Sequence, residues 1–323
     1  MHRRVLFKLL TAASLCSVSA LAWSQAAAWP NKPVRILVGF PAGSTPDSAA
    51  RALADGLSSV LSQPVIVDNK VGSSGNLAAG LVAKATDDHT LGVVINGNLT
   101  TAKVMNPAVG FDPDRDFAFL SLLTTAPMAL VTQAHRPEGA AFFKEAVAQG
   151  DRWNYGSVGA GSGAHLGMEM LKTKVPGMKP VHIPFQGNPA VVTALIGGQI
   201  DLALVPPGLI MPHVKSGKLR IVGLTSGRST LAPEAASLAE VGISDFSLEV
   251  WTAMVGPSNL SKAAQDRLKL EIPKLLRTPE IRQRLFLQGW NTVGSGPEGL
   301  QARVSDESAA LKAVIKSANI KAD

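Results

Sequence analysis

Apolar and polar positions change period repeatedly along this chain, and the changes mark out its elements. Val34, Ile36, Val38 and Phe40 alternate as in a half-buried strand, and Leu37 among them points to burial on both faces. Ala50, Leu53, Leu57 and Leu61 then fall on one stripe of a helix. Thr45 suits that helix's N-cap, Pro46 its first position and Asp47 its first turn. Gln63-Pro64 turns the chain into a second strand at 65–68, and Gly72 to Gly75 makes another turn. A helix from about Leu77 to Lys84 and a strand at 91–95 follow, the strand ending at Asn96-Gly97-Asn98.

The pattern then restarts. Residues 128–132 are extended, 142–148 helical, and 153–158 form a short strand entering Gly159-Ala160-Gly161-Ser162-Gly163. Next come a helix over 164–171, a strand at 181–185, a helix over 189–196 and a strand at 200–205 stopped by Pro206-Pro207. Residues 221–225 and 250–255 are again extended, and the tail is helical over 261–276, 279–287 and 297–315. Strands alternating with helices in this way predict parallel βαβ units. Two such modules and a helical tail predict an α/β fold of two lobes facing a cleft, each lobe a mixed, mostly parallel sheet flanked by helices. Ligands of open α/β sheets sit beyond the carboxyl ends of strands. Three turns meet that condition: Gly43 to Asp47, Asn96 to Thr101, and Gly159 to His165.

The first residues read differently. His2, Arg3, Arg4 and Lys8 form a basic start, residues 9–22 an apolar run too short for a membrane span, and Ser24-Gln25-Ala26 a small-residue exit. This predicts a cleaved signal peptide over 1–26, of the general secretory kind or, from Arg3-Arg4, the twin-arginine kind, and a periplasmic location. The chain's single cysteine, Cys16, lies within this leader, so the mature chain would have no disulfide and no thiolate chemistry. Losing Arg3, Arg4 and Lys8 takes three charges from the formal +7 and leaves +4, spread without the aromatic interleaving of nucleic-acid binders.

Catalytic and metal signatures are missing. Gly159-x-Gly161-x-Gly163 lacks dinucleotide spacing, the first turn lacks a phosphate-loop lysine, no Gly-x-Ser-x-Gly elbow occurs, and no two histidines stand four apart on a helix. The expectation is therefore no catalytic residue, no metal and no cofactor. What remains is suited to binding: a helix N-terminus offers unclaimed amides and a favourable dipole to an anion. Gly43, Ser44 and Thr45 open one helix, and Gly161, Ser162 and Gly163 open another, with His165 beside them. Either turn alone is equally well explained as an ordinary cap. Asp47 either supports the helix dipole or accepts a ligand amine or hydroxyl. Asn96, Asn98 and Thr100 are neutral groups at a strand end, able to orient a polar ligand or simply to make a turn.

Many short runs resemble the Bug family, the periplasmic receptors of tripartite tricarboxylate transporters. They include Trp29-Pro30-Asn31-Lys32-Pro33, Phe40-Pro41-Ala42-Gly43, residues 63–70 (QPVIVDNK), 111–117 (FDPDRDF), 181–187 (VHIPFQG), 197–201 (GGQID) and 212–220 (PHVKSGKLR). The resemblance implies a type II periplasmic binding-protein fold that closes over a small organic acid. Its carboxylate would be held by amides, hydroxyls and waters, with the stretch from Phe185 and Gln186 to Asn188 joining the turns already named. The lobes would comprise 27–126 with 226–323, and 127–225. The resemblance further implies a monomer delivering its ligand to a membrane permease, with signalling through a sensor protein as the alternative and no nucleic-acid partner. The chain departs from the family pattern at Pro46, which removes an amide and a hydroxyl, and at Gln186, where a lysine or arginine is frequent.

Overall fold

The computed structural model describes residues 29–227, 229, 231–317 and 320; the expected signal peptide lies outside the described residues. β1 (Val34–Val38), α1 (Thr45–Leu61), β2 (Val65–Asn69), α2 (Asn76–Ala83) and β3 (Thr90–Ile95) form the first parallel units. Two short helices, α3 (Asn96–Thr100) and α4 (Ala102–Met105), and the long β4 (Phe117–Pro127) follow. The next stretch holds β5 (Ala129–Gln133), α5 (Gly139–Gln149), β6 (Asn154–Ser157), α6 (Gly163–Lys174), β7 (Val181–Pro184), α7 (Asn188–Ile196), β8 (Leu202–Val205), α8 (Pro207–Lys215) and β9 (Leu219–Leu224). The chain finishes with β10 (Glu249–Pro257), α9 (Lys262–Leu276), α10 (Pro279–Phe286), β11 (Asn291–Ser295) and α11 (Pro297–Ser317).

Two mixed sheets result, as the alternation predicts. One has the order β11-β4-β10-β3-β1-β2, the other β7-β6-β8-β5-β9. β1 pairs in parallel with β2 and β3, and β6 with β7 and β8, while the remaining pairs are antiparallel. Each sheet thus has a parallel half carrying the βαβ units and an antiparallel half carrying the passages between lobes. In both, the order reverses beside the first parallel strand. β1 lies between β2 and β3, and β6 between β7 and β8, so a crevice opens beyond their carboxyl ends.

The α1 stripe packs as its spacing requires. Leu53 and Leu57 are fully buried against one cluster with Leu268, Ile272 and Leu276 of α9. Each such leucine contributes roughly 1.5–3 kcal/mol of burial. Gly56 sets the approach of the two helices, since a Cβ there would lie 2.8 Å from Leu275. The second lobe has its own core around Phe142, Trp153, Tyr155 and Met168.

Several elements differ from the sequence reading. Ser44, not Thr45, is the N-cap of α1, and Pro46 stands second in the helix. The strand end at Asn96 winds into α3 instead of turning. β4, α8 and β11 appear where no element was expected. The return to the first lobe comes later than residue 226: Leu238, Ile243, Phe246 and Leu248 pack on the second core, and the chain rejoins the first sheet at Glu249.

The chain passes between sheets at Pro127–Met128 and at Leu248–Glu249, and Thr225 ties the two passages. Its Oγ1 donates to the Leu248 carbonyl (2.6 Å) and accepts from the Met128 amide (2.8 Å), while its own amide donates to the Met128 carbonyl. The residue is completely buried. Replacing it with the isosteric valine leaves the Met128 amide without its acceptor. Thr225→Val is expected to lower stability by about 1–3 kcal/mol, read as a fall in the urea midpoint at unchanged slope.

Candidate functional site

The crevices of the two sheets meet in one cleft. The first lobe supplies Phe40, Ser44, Thr45, Pro46, Ile95 and Asn96, with Val250, Trp251, Thr252 and Trp290 from its later strands and loops. From the second come Val158, Ser162, Gly163, Ala164, Asn188 and Pro206, and Met128 lies at the passage between them. No side chain in this wall carries a charge. Its large members are apolar, and its polar members are hydroxyls and amides.

The ends of helices account for the placement of most polar members. α1, α6, α7 and α8 all start at the wall, through Ser44-Thr45, Ser162-Gly163, Asn188 and Pro206. Pro46, Pro189 and Pro207 remove one amide each from the first turns of α1, α7 and α8, but the dipoles remain, and four positive helix ends start at the same space. The two serine caps differ. Ser162 Oγ accepts from the His165 amide at 3.3 Å, as an N-cap should. Ser44 makes no such bond, and its buried Oγ has no hydrogen-bond partner among the described residues. A buried, unpartnered hydroxyl costs about 1–3 kcal/mol, which a ligand oxygen at this point would recover.

Ser44, Thr45, Asn96, Ser162 and Gly163, all singled out from the sequence, therefore line the cleft, and Asn188 of the 185–188 stretch joins them. Asn98 and Gly161 border a neighbouring recess, and Phe185 and Gln186 another. Four others belong to the framework. Gly43, at φ +78°, donates its amide to Asp47 Oδ2 at 2.9 Å. Thr100 Oγ1 donates to the Asn96 carbonyl within its own helix. His165 Nδ1 accepts from the Gly161 amide at 3.1 Å, and its ring stacks on His182 with centroids 4.2 Å apart. Asn98 also proves structural: its Nδ2 donates to the Ser74 carbonyl and Asn76 Oδ1, and its Oδ1 accepts from the Ile95 amide.

Asp47 corrects the idea of an acceptor facing the ligand. Its carboxylate is 2 % exposed and accepts from Arg51 Nε, from Asn69 Nδ2 at 2.8 Å and from Gly43. It pins the β1–α1 turn to β2. Burial raises its pKa more than any other single influence, yet the bonds from Arg51, Asn69 and Gly43 together hold it below the ordinary value. The residues missed in the sequence are mainly walls: Phe40, Met128, Val250 and Trp290 come from separated stretches, and only the tertiary fold gathers them.

Behind the wall, Glu307 of α11 accepts from Asn96 Nδ2 (2.9 Å), Trp251 Nε1 (2.6 Å) and Arg303 Nε (3.3 Å). The lobes also touch directly. Thr101 Oγ1 donates to the Gly161 carbonyl at 2.8 Å, and Asn188 Nδ2 approaches Thr45 Oγ1 at 3.4 Å. A Cβ on Gly208 would stand 2.1 Å from the Gln288 carbonyl carbon.

A family profile described as the tripartite tricarboxylate transporter family receptor matches residues 49–320. The chain belongs to this receptor family. A UPF0065 protein from the tcbD–tcbE intergenic region of Pseudomonas sp. strain P51 is 29 % identical over 304 residues, 93 % of this chain and 89 % of that protein. MatC of Rhodopseudomonas palustris, solved with bound malate, superposes with a TM-score of 0.83 at 26 % identity, covering 89 % of this chain and all of that one. An R. palustris protein solved with adipate reaches 0.86 at 26 % identity, over 91 % of this chain and all of that one.

Asp47 makes a measurable acid signature. A carboxyl held below its unfolded pKa of about 3.9 contributes stability that is complete above that value and is lost as pH falls through the folded one. Asp47→Asn is expected to lower neutral stability by roughly 1–3 kcal/mol and to flatten the loss below about pH 4. Urea unfolding at a series of pH values checks both.

Proposed function

We propose that this receptor works in the periplasm, binds a small organic carboxylate in the cleft between its sheets, and hands it to a membrane permease without covalent chemistry. The observation that carries the reading is Ser44, a buried and unpartnered hydroxyl at the N-terminus of a 17-residue helix, in a wall free of charged side chains. A carboxylate entering here exchanges water for the Ser44 and Ser162 hydroxyls and the amides of α1 and α6, whose dipoles favour negative charge. The apolar walls take the carbon skeleton. Ligands of related structures are carboxylates, malate in one and adipate in another.

Titration calorimetry against a panel of small carboxylates tests this. At least one acid is expected to bind, and Ser44→Ala and Ser162→Ala each to weaken it about five- to a hundredfold with the fold intact by circular dichroism. Binding unaffected by both substitutions would place the ligand elsewhere.

The close approach of the lobes belongs to the ligand-bound geometry, and opening at the Pro127–Met128 and Leu248–Glu249 passages admits the ligand. Gly208 offers a clean probe, because its φ is not in the left-handed region and the atoms nearest a Cβ there are the backbone of Gln288 and Gly289 in the other lobe. Gly208→Ala should unfold like the wild type yet bind at least tenfold more weakly, and small-angle scattering should show no compaction on adding ligand.

A further inference from the structure

Asn96 is 2 % exposed and lines the cleft, and the direction of its amide decides what it offers a ligand. That direction is set from behind. Glu307 receives hydrogen bonds from Trp251 Nε1 and Arg303 Nε on one oxygen and faces Asn96 with the other. Trp251 Nε1 and Arg303 Nε can only donate, so Glu307 serves as the acceptor of this cluster, and the NH2 of Asn96 turns towards it. Asn96 Oδ1 then has no hydrogen-bond partner among the described residues.

We infer that Asn96, oriented by Glu307, makes the cleft select carboxylates that carry a hydrogen-bond donor, a hydroxyl or amino group, on the carbon beside the carboxylate. The inference rests on the carboxylate-receptor reading and refines it. The position of the donor follows from Gly163, at the start of α6: a Cβ there would lie 3.1 Å from Asn96 Nδ2 and 3.6 Å from Oδ1. A carboxylate resting on that helix end brings its neighbouring carbon, and little else of the ligand, within reach of Oδ1. A ligand lacking the donor leaves a desolvated carbonyl oxygen unpaired when the lobes meet, and sites built this way discriminate strongly against such analogues. Glu307 acts through Asn96 and is a positioning residue.

Matched sets of acids test this by calorimetry or by the fluorescence of Trp251 and Trp290 in the wall: lactate, alanine, pyruvate and propionate; malate, aspartate, oxaloacetate and succinate; mandelate, phenylglycine, phenylglyoxylate and phenylacetate. In the set the wild type binds, the hydroxy or amino acid is expected to bind at least about tenfold more tightly than the unsubstituted acid. In Glu307→Gln, Trp251 and Arg303 retain the side-chain oxygen, and the new NH2 faces Asn96. Asn96 then turns its own NH2 into the cleft, so the ranking should reverse in favour of the keto acid. A merely structural role for Glu307 predicts weaker binding of every acid with the ranking kept, and that result overturns the inference. So does a wild-type ratio within twofold, which needs no variant and leaves the receptor reading standing. Failure of every carboxylate to bind overturns both.

Discussion

Four strand ends, those of β1 and β3 in one sheet and β6 and β8 in the other, point at one space, and the site follows from that convergence. A strand that ends in a parallel βαβ unit must hand over to a helix, and the helix starts with amides it cannot use itself. Bringing two reversal points together therefore concentrates orphan donors without any cationic side chain. The passages at Pro127–Met128 and Leu248–Glu249, tied by Thr225, hold the two reversal points opposite each other. Asp47 performs the matching task within one lobe, joining the β1–α1 turn to β2.

α11 gives the arrangement its third support. Leu300 and Val304 root it in the core of the first lobe, and Leu311 and Ile315 meet Leu166 of α6 in the second. Between those contacts stands Glu307, which holds both Trp251 and Asn96. The C-terminal helix thus reaches the cleft wall through one carboxylate, which gives a residue far along the chain a part in shaping that wall.

Much of the architecture is legible in the sequence because β1 and α1 keep clear periods, and β1, α1, β3 and β6 are each followed within a few residues by glycine or proline. The Ser44 and Ser162 turns are legible for the same reason, as both sit between a strand and a helix. Less is visible where the signal is mixed. α8 opens with Pro207 and contains Pro212, which read as breakers, although the first suits position N1. β4 is apolar on both faces and shows no alternation. The role of Asp47 hides because Asn69 reaches it only through the parallel register of β1 and β2. The aromatic walls hide more completely: Phe40 and Trp290 are distant in the chain, and nothing local separates a cleft wall from a core.

A wall without ions has a consequence for the medium in which the protein works. Dissolved salt weakens attraction between exposed charges over a Debye length of about 8–10 Å at moderate ionic strength, but reaches sheltered dipoles poorly. An anion seated among peptide groups and hydroxyls keeps its hold whether the surrounding fluid is dilute or briny. Binding of that kind would vary little with salt, unlike the stronger but screenable grip of a lysine or an arginine.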